Sequence, residues 1–155
     1  MRKPKPVTTK FPPVQIKVDG EDTTLYVQAA WSHPTVTGSS ISYGYNERMY
    51  LSTSEYNDTS LYFKPNLVGG SLEYDVDVSQ VGCGCISALY TVLMPGKDNN
   101  EDPFQYCDGN QVGGYWCPEF DIQEANKYAF HTTLHSCDTP TDGVYNKCDK
   151  SGQCT

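Results

Sequence analysis

The sequence predicts an all-β fold, and three features carry that prediction. Short runs rich in β-branched and aromatic residues recur along the chain, glycine, asparagine and aspartate turns separate them, and no amphipathic stretch exceeds two helical turns. Such a pattern belongs to a sandwich or a barrel. The 155 residues suit one ordinary domain. Strands are expected over residues 23–30, 40–45, 48–53, 60–64, 72–78, 85–94, 118–123 and 127–135. The clearest is 72–78, where Leu72, Tyr74, Val76 and Val78 alternate with Glu73, Asp75 and Asp77, as a strand with one buried face requires. Residues 1–20 hold Pro4, Pro6, Pro12 and Pro13 among Arg2, Lys3, Lys5, Lys10 and Lys17. They read as a basic, extended arm, which leaves 21–155 for the β domain.

The formal charge is −8, and the acidity is concentrated: from Asp98 to Glu124 there are seven carboxylates and no lysine or arginine. That surface repels phosphate backbones, so nucleic acid is excluded as a partner, whereas a neutral polymer such as a polysaccharide is accommodated. Twelve tyrosines suit half-buried strand faces first, and stacking on sugar rings second. Seven cysteines in Gly- and Asp-rich surroundings indicate disulfides and an oxidising compartment, hence a secreted, extracellular protein. Asn57 heads an Asn-Asp-Thr sequon, a candidate glycosylation site. No apolar run is long enough to span a membrane. The first thirty residues lack a signal-peptide core, so the chain is expected to be a processed or shortened form.

Residues 117–126 carry the chemistry. They read Cys-Pro-Glu-Phe-Asp-Ile-Gln-Glu-Ala-Asn, so Glu119 and Asp121 share one face of a strand and Phe120 and Ile122 the other. Strict alternation turns Glu124 away, but one inserted residue, a β-bulge near Gln123, returns it to the same side. Two carboxylates flanking a sugar bond are what a retaining glycosidase needs, one as nucleophile and one as acid. Crowded like charges raise one carboxyl's pKa and keep it protonated. By itself the pattern is short, and acidic strand faces are commonly just solvated.

The same segment, followed by His135-Ser-Cys137, resembles the catalytic strand of glycoside hydrolase family seven, the cellobiohydrolases and endoglucanases. Residues 72–84 with Tyr90 are similar to the strand beneath that family's cleft, and residues 38–42 and 48–51 resemble the strands before it. Tyr106-Cys-Asp108 is similar to a substrate-lining turn, and Trp31-Ser-His33 resembles a tryptophan platform at the cleft entrance. The resemblance implies an antiparallel β-sandwich of jelly-roll (concanavalin-like) type, incomplete in this chain because the family's chains are far longer. It implies Glu119 as nucleophile, Asp121 as a helper hydrogen-bonded to it, Glu124 as general acid/base and His135 near the leaving group. Tyr90, Tyr106, Asp108, Asn110 and Trp31 are the implied substrate-binding residues. Cys107 is implied to pair with Cys117, and Cys148 with Cys154. Cys83 and Cys137 are implied to pair outside this chain, and Cys85 has no counterpart. Ile86 stands where the family has an asparagine, Asn110 replaces a glutamine, and 111–115 is a shortened loop.

The expected activity is therefore retaining hydrolysis of β-1,4-glucan. A non-catalytic glycan-binding or extracellular assembly protein and a retaining β-1,3-glucanase are the alternatives. No cofactor or metal is expected, although His131, His135, Cys107 and Cys117 compose a conceivable zinc set. The half sandwich is expected to be covered by another chain or by its missing half.

Overall fold

A computed structural model of the chain describes residues 10–31, 33–94 and 102–154. It is all-β apart from one 3-10 turn, Thr59–Leu61, and its strand ladders are antiparallel, as in a partial β-sandwich with no closed barrel. The chain divides into two compact units, Met1–Gly70 and Ser71–Thr155. No described helix is long and apolar enough to cross a membrane.

In the first unit, β1 (Pro13–Val18), β2 (Glu21–Ala29) and β5 (Met49–Ser52) form a sheet in the order β1-β2-β5. The hairpin β3 (Thr35–Thr37) and β4 (Ser40–Ser42) forms a second ladder. Asp19 and Gly20 join β1 to β2 with φ of 51° and 86°, the left-handed pair that a two-residue hairpin turn requires. Val14, Leu25 and Val27 are buried together, with Ile16, Val36, Ile41, Met49, Leu51 and Phe63 packed around them. Each such side chain contributes about 1.5–3 kcal/mol by leaving water.

Two expectations change here. Residues 13–18, assigned to an extended arm, form β1, while residues 1–9 of that arm lie outside the described residues. Pro13 has no N–H to give, but as the first residue of an edge strand it needs none. Residues 60–64 make no strand. Phe63 N–H donates to Leu51 and Thr53 N–H to Leu61, so the segment touches β5 without extending along it.

The second unit holds β6 (Ser87–Val92), β7 (Glu119–Ala125), β8 (Phe130–His135) and β9 (Gln153–Cys154), paired in chain order. Asn126 makes the β7–β8 turn, its side-chain oxygen accepting the N–H groups of Tyr128 and Ala129. The run 72–78, expected as the clearest strand, belongs to no described ladder, and Leu72, Tyr74 and Val76 are exposed. Alternation decides which side of a strand turns inward; a ladder also needs a neighbour, and none of the described strands pairs with it.

Candidate active site

Strand β7 carries the carboxylates, and the register of both neighbours shows how. On the β8 side Glu119, Asp121 and Glu124 stand opposite His135, Thr133 and His131. On the β6 side Gln123 faces Leu89 and Asp121 faces Tyr90, so Ile122 is passed over. That extra residue is the bulge, and it brings Glu124 back to the face of Glu119 and Asp121. Along β8, positions 131, 133 and 135 alternate onto that same face.

Glu119 and Asp121 are buried, at 7% and 6% exposure, under the loop that holds Phe104, Tyr106, Cys107 and Asp108. Gly109 lets this loop approach. Its N–H donates to Glu119 Oε2 at 2.9 Å, and a Cβ at that position would lie 2.8 Å from His135 Cγ and 3.2 Å from Glu119 Oε2. Burial pushes the Glu119 carboxyl up from 4.5 to about 7; Asp121 and Asp108 push the same way, while the Gly109 N–H and His135 oppose. Asp121 is also raised, first by burial and then by the charge of Glu124, with His135 opposing.

Asp121 has a second neighbour beside Glu119, in His135. Its Oδ2 lies 3.2 Å from His135 Nε2. His135 Nδ1 is 2.7 Å from the carbonyl oxygen of Asp149, which can only accept, so Nδ1 carries a hydrogen and Nε2 is aimed at Asp121. One proton then lies between His135 and Asp121, on the imidazole or on the carboxyl. Glu124 is held separately: Oε2 accepts from Thr133 Oγ1 at 2.7 Å and from His131 Nε2 at 2.8 Å.

The other expected residues fall into two groups. Tyr90, Tyr106 and Asp108 form a chain beside the carboxylates: Tyr106 O–H donates to Asp108 Oδ2 at 2.8 Å, so the Tyr90 hydroxyl, 3.3 Å away, donates to Tyr106. Asp108 Oδ1 accepts the N–H groups of Asn110 and Val112, which ties the Asp108 carboxylate to its own loop. Asn110 is exposed beside it. Trp31 belongs to the first unit, where its Nε1–H donates to Asn46 and Arg48 lies over its ring. Asn57 is half-buried just before the 3-10 turn.

The cystine Cys107–Cys117 forms and closes the loop bearing Asp108 and Gly109. Both its sulfurs are occupied, which removes them from the zinc set. Glu119, Asp121 and His135 do offer one ligand atom each within 4.8 Å of one another, a spacing a cation could fill. The pairing Cys148–Cys154 is overturned: Cys148 joins Cys137, and Cys154 is a free thiol. The chain beyond β8 returns antiparallel, making Cys137 and Cys148 directly opposite neighbours, whereas Cys154 sits on β9 against Thr133. Cys137 thus has its partner within this chain, while Cys83 and Cys85 are free thiols. Changing Cys107 and Cys117 together to serine is expected to lower stability by about 2–4 kcal/mol, read by urea unfolding, and to reduce any turnover by loosening Gly109. An unchanged midpoint would contradict the loop-clamping role.

Sequence reasoning missed Gly109 and Thr133, and met His131 only as a metal ligand. Period-two alternation from His135 back to His131 was the available signal for the latter two; nothing local marks Gly109.

The chain is similar to several curated endoglucanases. It is 33% identical over 116 residues to endoglucanase type C of Fusarium oxysporum, covering 57% of this chain and 27% of that protein. It is 32% identical over 118 residues to endoglucanase 1 of Humicola insolens, covering 56% and 29%. Against endoglucanase 1 of Pyricularia oryzae it is 31% identical over 114 residues, covering 57% and 26%. The chain thus spans little more than a quarter of the length of the relatives it matches. No protein-family model and no solved structure matches it.

Proposed function

We propose, from a chain that is a relative of the endoglucanases of glycoside hydrolase family seven, that this β7 face hydrolyses β-1,4-glucan with retention of configuration. The observation that carries the reading is the bulge at Ile122, which sets three carboxylates of one seven-residue strand on a common face. In the first step the Glu119 carboxylate attacks the anomeric carbon while Glu124 gives its proton to the departing glycosidic oxygen. In the second, Glu124 takes a proton from water as the water oxygen displaces Glu119. Gly109 N–H and His135 offset the repulsion that Glu119 meets as an anion from Asp121 and Asp108. The tyrosine chain beside the site and the acidic surface suit an uncharged sugar polymer, and the cysteine usage suits a secreted enzyme.

Assay of the full chain on cello-oligosaccharides, mixed-linkage oligomers and β-1,3 oligomers, with the product anomer followed by NMR, tests this. Release of β-anomer from cello-oligosaccharides supports it. Turnover of β-1,3 oligomers alone favours the β-1,3-glucanase, and binding without turnover favours a glycan-binding protein. The pH profile tests the roles. A nucleophile acts ionised, so the acid-side limb of kcat/KM is expected to rise with pH up to about 7, as Glu119 loses its proton. An acid-side limb near 4.5 would contradict the burial of Glu119 or its role as nucleophile.

A further inference from the structure

We propose that His131 and Thr133 are positioning residues for Glu124: by both donating to Oε2, they leave Oε1 as the oxygen that delivers and recovers the proton. The inference rests on the reading of Glu124 as general acid/base. A carboxylate oxygen accepts, so Thr133 O–H and His131 Nε2–H both point at Oε2, at 2.7 Å and 2.8 Å. Two donors fill the two lone-pair directions of that oxygen. A proton on Glu124 therefore sits on Oε1, for which the described residues supply no partner.

The arrangement is built into the strands. Glu124 stands opposite His131, and Thr133 is the next residue of β8 on that face, opposite Asp121. Thr133 is 2% exposed, and its branched side chain is locked by packing. The His131 side chain is 43% exposed and reaches Glu124 from the solvent side. A carboxyl free to rotate presents either oxygen to the sugar; one anchored through Oε2 presents Oε1 alone. The same two donors hold the charge on Glu124 after it has given its proton to the leaving oxygen and before it takes one from water.

The test compares His131→Ala, His131→Gln, Thr133→Val and Thr133→Ser in the full chain. The substrates are cellotetraose and 2,4-dinitrophenyl β-cellobioside, whose leaving group needs little protonation. His131→Ala and Thr133→Val are each expected to lower kcat/KM on cellotetraose about tenfold, as for a lost charge-assisted hydrogen bond, with KM little changed. On the aryl glycoside the loss in kcat/KM, which reports the first step alone, should stay below about threefold. His131→Gln and Thr133→Ser keep a donor and should recover most of the rate, and Thr133→Ser also guards against misfolding at this buried position. Equal losses on the two substrates, a change confined to KM, or no loss overturns the proposal. Glu124→Gln separates the two levels. If it too loses activity equally on both substrates, the acid assignment itself fails. If its loss depends on the leaving group and those of His131→Ala and Thr133→Val do not, only the positioning role fails. A wild-type chain that turns over neither substrate sinks both readings.

Discussion

Glu119→Gln is expected to abolish turnover and, at the same time, to make the fold more stable at neutral pH. The first effect follows from the proposed nucleophilic role: an amide cannot form the glycosyl ester, and a loss of about a thousandfold or more is expected, with glycan binding largely kept. The second follows from burial. The folded protein holds the Glu119 proton up to about pH 7, whereas the unfolded chain releases it near 4.5. Between those values the folded state binds more protons, so stability falls as pH rises through the window and is fully present below it. The difference amounts to on the order of 3 kcal/mol at most. Glutamine resembles the protonated acid and has nothing to ionise, so the variant should lose this decline. Urea unfolding at pH 5 and pH 8 reads it: the wild type should be weaker at pH 8, and the variant should gain there and change little at pH 5. Equal stabilities of the two proteins at pH 8 would show that Glu119 is solvated in practice, and retained turnover would remove it from the chemistry.

Gly109→Ala should damage both stability and turnover. A methyl group there collides with His135 Cβ and crowds both the imidazole and the Glu119 carboxylate. The loop or β8 must then retreat, at about 1–3 kcal/mol for the overpacking, and the N–H that supports Glu119 retreats with it. A displacement of about 1 Å at a reacting group can cost about a hundredfold in rate. Thermal melting and turnover on cello-oligosaccharides would show both. A variant with wild-type melting and rate would mean that the loop bends freely away from β7, and that the hydrogen bond from Gly109 to Glu119 matters little.

The parts of this fold that were legible in the sequence are those decided by near neighbours. Glu119, Asp121 and Glu124 lie within six residues, so alternation plus one bulge sufficed to set them on a common face, and the bulge fell one residue from the expected position. Long-range pairing was not legible. Residues 72–78 alternate as a strand should, yet whether a ladder forms depends on a neighbour that alternation does not encode. Pro12 and Pro13 suggested an unpaired arm because proline cannot donate, but Pro12 accepts from Val27 N–H and Pro13 opens an edge strand, where no donation is required. The resemblance gave Cys148 to Cys154 and placed the partner of Cys137 outside this chain, and only the path of the chain after β8 brings Cys137 and Cys148 together. The link from Asp121 to His135 likewise depends on a carbonyl, Asp149, that carries no side-chain signal.

Ile122 is passed over by β6, and on the β8 side Ile122 and Gln123 together oppose Thr132, which makes β7 one edit away from a regular ladder. Removing Ile122 would leave Glu119, Asp121 and Glu124 at even spacing, and all three would still fall on one side without any bulge. Loss of a residue from the middle of a strand ordinarily inverts everything after it; here it would restore parity. The acids would keep their side and lose only the extra twist that a bulge adds. A chain lacking Ile122 therefore separates two quantities that point mutations leave entangled, the side on which Glu124 emerges and the angle at which it meets the sugar.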